Sequence, residues 1–238
     1  MKIQSKRIII TGATGTVGTE LSHLLSSEGH SLVLVARTEG SLKILKEECL
    51  QRGAKFAIYL VCDIRLIEDV KCIAESVQEL DDKGEIVLIN NVGTYYTQSF
   101  DQMPYEEIEN LVMTNLLGTM YVTRSILPLM LKEGTGQIID MGSVGATLLR
   151  KDAAVYNASK AGLLAFGKTL IKEIRASGIR VTSVLPGSIS ASASKENDLH
   201  RQDALLAWNV AEFLRDLIMM PKNRCVDEVV LMPPQSHF

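Results

Sequence analysis

Seven short runs rich in valine, isoleucine and leucine recur along this chain, and a helix-length stretch separates each from the next. The runs are "RIIIT" (7–11), "SLVLVAR" (31–37), "KFAIYLVCD" (55–63), "EIVLINNVG" (85–93), "GQIIDMGS" (136–143), "IRVTSVLPG" (179–187) and "VDEVVLMP" (226–233). Strands this continuously apolar suit a sheet covered on both faces. Strict alternation of strand and helix implies parallel strands joined by right-handed crossovers. The expected fold is therefore α/β: a doubly wound, Rossmann-type parallel sheet of about seven strands, with helices on both faces, a three-layer sandwich.

The helical stretches follow from apolar spacing and stop signals. Residues 16–29 carry Val17, Leu21, Leu24 and Leu25 and end at Gly29. Residues 39–52 stop at Gly53, and 66–80 follow the third strand. One long helix is expected over 105–133 with Pro128 near its end, another over 153–177, and a last one over 203–219. The 238 residues suit a single dinucleotide-binding and catalytic domain spanning 1–238. The Ser/Ala-rich patch "SISASAS" (188–194) reads as a mobile loop, part of a substrate lid over about 188–202.

Composition narrows the function. A net charge of −3 gives no basic excess for a nucleic-acid partner. No apolar run approaches the roughly 20 residues of a membrane span. "MKIQSKRIII" lacks a signal-peptide pattern, so a cytoplasmic protein is expected. Cys49, Cys62, Cys72 and Cys225 show no metal-binding spacing and read as free thiols, and the four histidines are scattered; no metal site is expected.

The first strand runs into "TGATGTVG" (11–18) and then a helix. Strand, glycine loop, helix is the context in which a glycine motif binds a dinucleotide. Gly12 allows the tight turn, Gly15 lets the backbone approach a pyrophosphate, and Gly18 permits close helix packing. The helix N-terminus offers free N–H groups to the phosphates. At the end of the second strand, where a carboxylate would bind an NAD ribose, the sequence has Ala36 and then Arg37. A guanidinium suits a 2′-phosphate, which favours NADP(H) over NAD(H).

In "YNASK" (156–160), Tyr156 and Lys160 are four apart and share a helix face. A neighbouring ammonium is expected to lower the phenol pKa and make Tyr156 a general acid–base near neutral pH. Ser143 ends the preceding strand at the carboxyl edge of the sheet, where open α/β folds bind ligands.

These motifs, with "CDI" (62–64), "NNVG" (90–93), Asn115 in "MTNLLGT" and "LPGSI" (185–189), make the chain resemble the short-chain dehydrogenases/reductases over essentially its whole length. The resemblance implies that Tyr156 is the catalytic acid–base and that Lys160 lowers its pKa and holds the nicotinamide ribose. It implies that Ser143 orients the substrate carbonyl or carbinol, and that Asn115 holds a water linking Lys160 to solvent. Gly12, Thr14, Gly15, Thr16, Val17 and Gly18 form the phosphate loop in this reading. Arg37 and Thr38 meet the adenosine ribose, and Asp63 and Ile64 border the adenine. Asn91 and Gly93 line the middle of the cofactor, and Pro186, Gly187 and Ile189 flank its nicotinamide end. Asn90 is expected to serve the sheet. The implied reaction is hydride transfer between NADP(H) and a small carbonyl or secondary alcohol, by a homodimer or homotetramer paired through the long helices.

One stretch departs from the family's compact branch. That branch places a glycine at the position of Thr16, whereas this chain has the TGxxGxxG spacing of the longer, two-domain branch. The spacing leaves a nicotinamide-retaining epimerase or dehydratase as an alternative, and a non-catalytic NADP-binding regulator as another. No basic side chain stands within the loop, so NADP preference rests on Arg37. The substrate pocket is expected from 94–97, 144–150 and 188–202, with Arg150 and Lys151 at its rim.

Overall fold

Along the first strand, Ile8 and Ile10 point into one apolar layer and Ile9 into the other, all three fully buried. That two-residue alternation between two buried layers is why the strands read as unbroken apolar runs. The structure, a computed structural model, describes residues 5–190 and 203–235.

Seven strands form one sheet: β1 (Arg7–Thr11), β2 (Ser31–Ala36), β3 (Phe56–Val61), β4 (Ile86–Asn90), β5 (Gly136–Met141), β6 (Ile179–Pro186) and β7 (Glu228–Leu231). All pairings are parallel, in the order β3-β2-β1-β4-β5-β6-β7. The helices are α1 (Thr16–Ser27), α2 (Glu39–Arg52), α3 (Ile67–Glu79), α4 (Tyr105–Val112), α5 (Gly118–Glu133), α6 (Ala154–Ile174) and α7 (Ala207–Met219). One apolar layer takes Leu21, Leu42 and Leu214 from α1, α2 and α7. The other takes Ile73, Ile126 and Leu170 from α3, α5 and α6. The chain winds outward from β1 to β3 and then returns to β4 beside β1, so the switch point of the sheet lies between β1 and β4. Ligand clefts of such folds open there, beyond the carboxyl ends of the strands.

Two expected helices differ. The helix expected over 105–133 is interrupted: α4 passes into a wide π-turn over Met113–Leu117 before α5 begins. Pro128 lies within α5 toward its end at Glu133, as expected. Pro128 and Arg124 are both exposed, so the carbonyl that loses its amide partner faces water. Residues 203–206, expected to open the last helix, are not helical. Leu205 instead pairs beside Ile189, accepting from the Ser190 amide at 2.8 Å and donating to the Ser188 carbonyl at 2.7 Å. Of the expected lid, 188–190 are therefore fixed at this bridge, and 191–202 lie outside the described residues. No helix among the described residues is long and apolar enough to cross a membrane.

Candidate active site

A cleft of about 770 Å³ follows the carboxyl edge of the sheet from β2 to β6. Its floor begins at the glycine loop. Gly12 has φ +65, a left-handed conformation that side chains rarely adopt. The Asn91 amide braces the turn, donating to the carbonyls of Thr11 and Gly12 at 3.2 and 3.1 Å. Gly15 stands at the N-terminus of α1, which no side chain caps. The first-turn N–H groups thus face the cleft with a positive dipole end behind them. Gly18 lies behind the loop and not on the cleft wall: a Cβ there would sit 2.3 Å from the Gly12 carbonyl oxygen. Thr14, Gly15, Thr16 and Val17 line the cleft. Thr16, where the family's compact branch has glycine, opens α1 and lines the cleft.

The end of the cleft beside β2 and β3 is lined by Arg37, Thr38, Asp63 and Ile64. It also holds Arg65, which the sequence motifs do not single out although it directly follows "CDI". Arg65 grips Asp63 with a fork: Nε donates to Oδ1 at 2.9 Å and Nη2 to Oδ2 at 2.6 Å. This bond, with the nearby Arg37 charge, holds the Asp63 carboxyl below its usual range. Asp63 therefore stays ionised, its negative charge met chiefly by Arg65. Cys62 also lines the cleft, but burial and the Asp69 and Asp63 carboxylates push its thiol up to about 12, so it is no nucleophile at neutral pH.

The other end gathers Ser143, Tyr156 and Lys160. Ser143 follows β5 in extended backbone and accepts a hydrogen bond from the Gly145 amide at 3.0 Å. The Tyr156 ring meets Tyr95 edge to face, with centroids 4.8 Å apart. Burial raises the Tyr156 pKa above its ordinary value, the nearby Ser143 hydroxyl draws it down, and Tyr95 adds to the rise. The Lys160 ammonium donates to the Met141 carbonyl at 2.9 Å, and burial rather than Lys160 sets the direction of the shift in the neutral phenol. Lys160 is itself buried, and burial lowers it to about 8.

Asn115 sits in the π-turn, fully buried and behind the cleft wall. Its Oδ1 accepts from the Thr94 amide at 2.8 Å, and its Nδ2 donates to the Thr94 carbonyl at 3.0 Å and to Ser159 Oγ at 3.1 Å. The π-turn shifts the helical register so that this side chain meets the 91–94 loop. Gly93 lies between Asn115 and Lys160: a Cβ there would be 3.3 Å from Lys160 Nζ and 3.6 Å from Asn115 Oδ1. Asn91, Gly93, Pro186, Gly187 and Ile189 line the span between the two ends. Asn90 is buried in the sheet and donates to Asp140 and Thr123. Of the expected substrate pocket, Thr94, Tyr95, Val144, Gly145, Arg150, Ser188 and Ser190 reach the cleft; Asn157 joins them unforeseen. Lys151 does not line it.

A glycine-turn floor at one end and a Ser–Tyr–Lys group at the other are in keeping with a short-chain oxidoreductase, and the chain belongs to the short-chain dehydrogenase family. The family's sequence model, described as short chain dehydrogenase, matches residues 6–202. An uncharacterized oxidoreductase of Staphylococcus epidermidis is 29% identical over 233 residues, covering 98% of this chain and 99% of the relative. A 3-oxoacyl-(acyl-carrier-protein) reductase of Buchnera aphidicola is 29% identical over 224 residues, 94% of this chain and 85% of the relative. In fold, the chain is similar to an alcohol dehydrogenase of Thermococcus sibiricus complexed with 5-hydroxy-NADP, at a TM-score of 0.89 and 24% identity, covering 99% and 100% of the two chains. A metagenomic short-chain oxidoreductase in complex with NADP gives a TM-score of 0.84 at 24% identity, covering 98% and 99%.

Proposed function

We propose that this protein is an NADP(H)-dependent oxidoreductase acting on a small carbonyl compound or the corresponding secondary alcohol. The observation that carries this reading is the meeting of Ser143, Tyr156 and Lys160 at one end of a cleft whose other end is an uncapped helix N-terminus behind a glycine turn. The cradle fits a dinucleotide because Gly12 makes the left-handed turn and Gly18, with no Cβ, lets the loop lie close against the uncapped N-terminal turn of α1. NADP(H), when bound, supplies or accepts the hydride. The chain's residues manage the proton. With its pKa raised by burial, Tyr156 is protonated at neutral pH and donates to the oxygen of a carbonyl substrate. Ser143 holds that same oxygen by hydrogen bonding, so proton transfer needs no reorientation. Lys160, next to Gly93 and Asn115, places a positive charge behind the phenol as it ionises.

Arg37 and the absence of a carboxylate at position 36 support NADP(H), as do the NADP complexes named for the two similar structures. The test is a panel of aldehydes and ketones followed at the NADPH absorbance, with NADH in parallel. Absence of both turnover and NADPH binding would overturn the reading. Arg37→Ala is expected to raise KM for NADPH about tenfold while leaving NADH kinetics little changed, since the lost charge-assisted bond is partly screened by solvent. Equal effects on the two cofactors would remove Arg37 from the specificity argument.

We also propose a homodimer or homotetramer. The outer face of α6 exposes the small residues Ala154, Ala158, Ala165 and Thr169, which allow another helix to approach closely. Light scattering should return two or four times 26.2 kDa; a monomer at micromolar concentration would exclude it.

A further inference from the structure

Three carboxylates are buried among the described residues: Asp82, Glu85 and Asp140. Two are held by several donors. Asp82 accepts from Ser31 Oγ at 2.5 Å and the Gly84 amide at 2.9 Å, and pairs with Lys55 at 3.2 Å. Glu85 accepts from Lys6 at 2.5 Å and Thr135 at 2.9 Å, with Arg180 at 3.4 Å. Asp140 is built differently. Its Oδ1 accepts one bond, from Asn90 Nδ2 at 2.8 Å, and its Oδ2 accepts none. A buried carboxylate so thinly solvated is costly unless a charge faces it.

Every element around Asp140 but one offers it a neutral side. From β4 comes Asn90, itself held by Thr123 of α5. From β6 comes Ser183, directly across in register, whose hydroxyl also lacks a partner. From α6 comes Gly167, where a Cβ would lie 2.8 Å from Ser183 Oγ and 3.4 Å from Asp140 Oδ2, so this helix presses directly onto the carboxylate. Two turns earlier on α6 stands Lys160, whose ammonium is bonded to the carbonyl of Met141, the residue after Asp140. Lys160 is the charged group that acts on Asp140, and Asp140 the one that acts on Lys160.

We propose that Asp140 is a positioning residue for the Tyr156–Lys160 pair: a buried anion behind the sheet edge that keeps the Lys160 ammonium charged and seated at the Met141 carbonyl. The proposal rests on the function proposed above and deepens it. Asp140 does not touch the cleft; it acts through Lys160. The direction of its effect follows from charge. Burial pushes Asp140 up to about 6, against the Asn90 bond and the Lys160 charge, and burial brings Lys160 down to about 8, against Asp140. Between those two values Asp140 is ionised and Lys160 protonated. Removing the anion disfavours the ammonium, so Lys160 loses its proton at lower pH.

The test is Asp140→Asn, which keeps the acceptor for Asn90 and removes the charge. With lysine labelled at Cε with carbon-13 in the protein without added nucleotide, the Lys160 resonance, assigned by its loss in Lys160→Arg, should titrate about one pH unit lower in Asp140→Asn than in the wild type. The alkaline limb of NADPH-linked reduction should move down by the same amount, chiefly in kcat and little in KM. Ser183→Ala, which removes only the neutral neighbour, should move neither. If Asp140→Asn does not fold, the wild type still decides: the Lys160 resonance should show a second, smaller step at the Asp140 midpoint near 6. An unshifted Lys160 midpoint in Asp140→Asn, or a single-step titration in the wild type, overturns the proposal. A Tyr156→Phe control separates the two failures, because turnover that survives in it removes the functional reading itself.

Discussion

Tyr156→Phe should lower kcat about a hundred- to ten-thousand-fold, the usual worth of a positioned general acid, while the protein stays folded and binds NADPH as before. The substitution deletes one hydroxyl, that on which Ser143 acts. The ring keeps its edge-to-face contact with Tyr95 and its packing near Met103, Leu111 and Val155. With at most about 1 kcal/mol lost with that one hydroxyl, the melting temperature should fall by no more than about 4 °C. Steady-state kinetics with a competent carbonyl substrate, beside a thermal melt and a nucleotide-binding isotherm, make the measurement. Turnover within a factor of a few of the wild type would leave the proton to some other group and sink the assignment. Loss of binding together with turnover would show that the phenol serves the cofactor rather than the chemistry.

Gly18→Ala should damage both stability and nucleotide binding, although position 18 does not line the cleft. The new Cβ would lie 2.3 Å from the Gly12 carbonyl oxygen and 2.9 Å from Ala13 Cα and its carbonyl oxygen. Each obstacle is backbone, so no rotamer relieves the contact, and the loop must lift from α1. Overpacking of this kind costs roughly 1–3 kcal/mol, or about 3–10 °C of melting temperature for a domain of this size. A lifted loop also takes its N–H groups away from the phosphates, so affinity for NADPH should fall at least about tenfold. Gly15→Ala is the contrasting variant. Its Cβ would meet only the Gly12 carbonyl oxygen, at 3.2 Å, at an exposed position in ordinary backbone geometry, so both effects should be smaller. If Gly18→Ala melts and binds like the wild type, the close approach of helix to loop does not shape the phosphate site.

The sheet was legible because its signal is local and repeated. Seven apolar runs, of which the five inner strands are buried throughout and the edge strands β3 and β7 only in part, announce a covered parallel sheet without any knowledge of which helix covers which face. The cleft was legible for the same reason: glycine loop, strand ends and "YNASK" each sit at a junction of elements, and parallel winding brings those junctions to one edge. Five residues of the helix expected over 105–133 mark where that reasoning stops. Apolar periodicity through Met113–Leu117 reads as ordinary helix, yet the chain widens there by one residue per turn so that Asn115 can meet Thr94. The benefit lies in a contact with a loop more than twenty residues away, which no local pattern records. The stretch 203–206 differs for a like reason, since pairing with Ser188 and Ser190 outweighs its helical spacing.

By itself, then, the sequence determined the layered fold, the place of the cleft and the residues that meet in it, because these depend on burial pattern and on the winding of parallel strands. Only the tertiary structure decided their charges and bonds. Spacing put Lys160 beside Tyr156, but packing turned its ammonium to the Met141 carbonyl and left the phenol raised by burial. It likewise set Asp140, an acid in an apolar strand, against that lysine and gave Asp63 to Arg65. The physical reason is the same in each case: burial and orientation, not spacing, fix how strongly two charges act on one another.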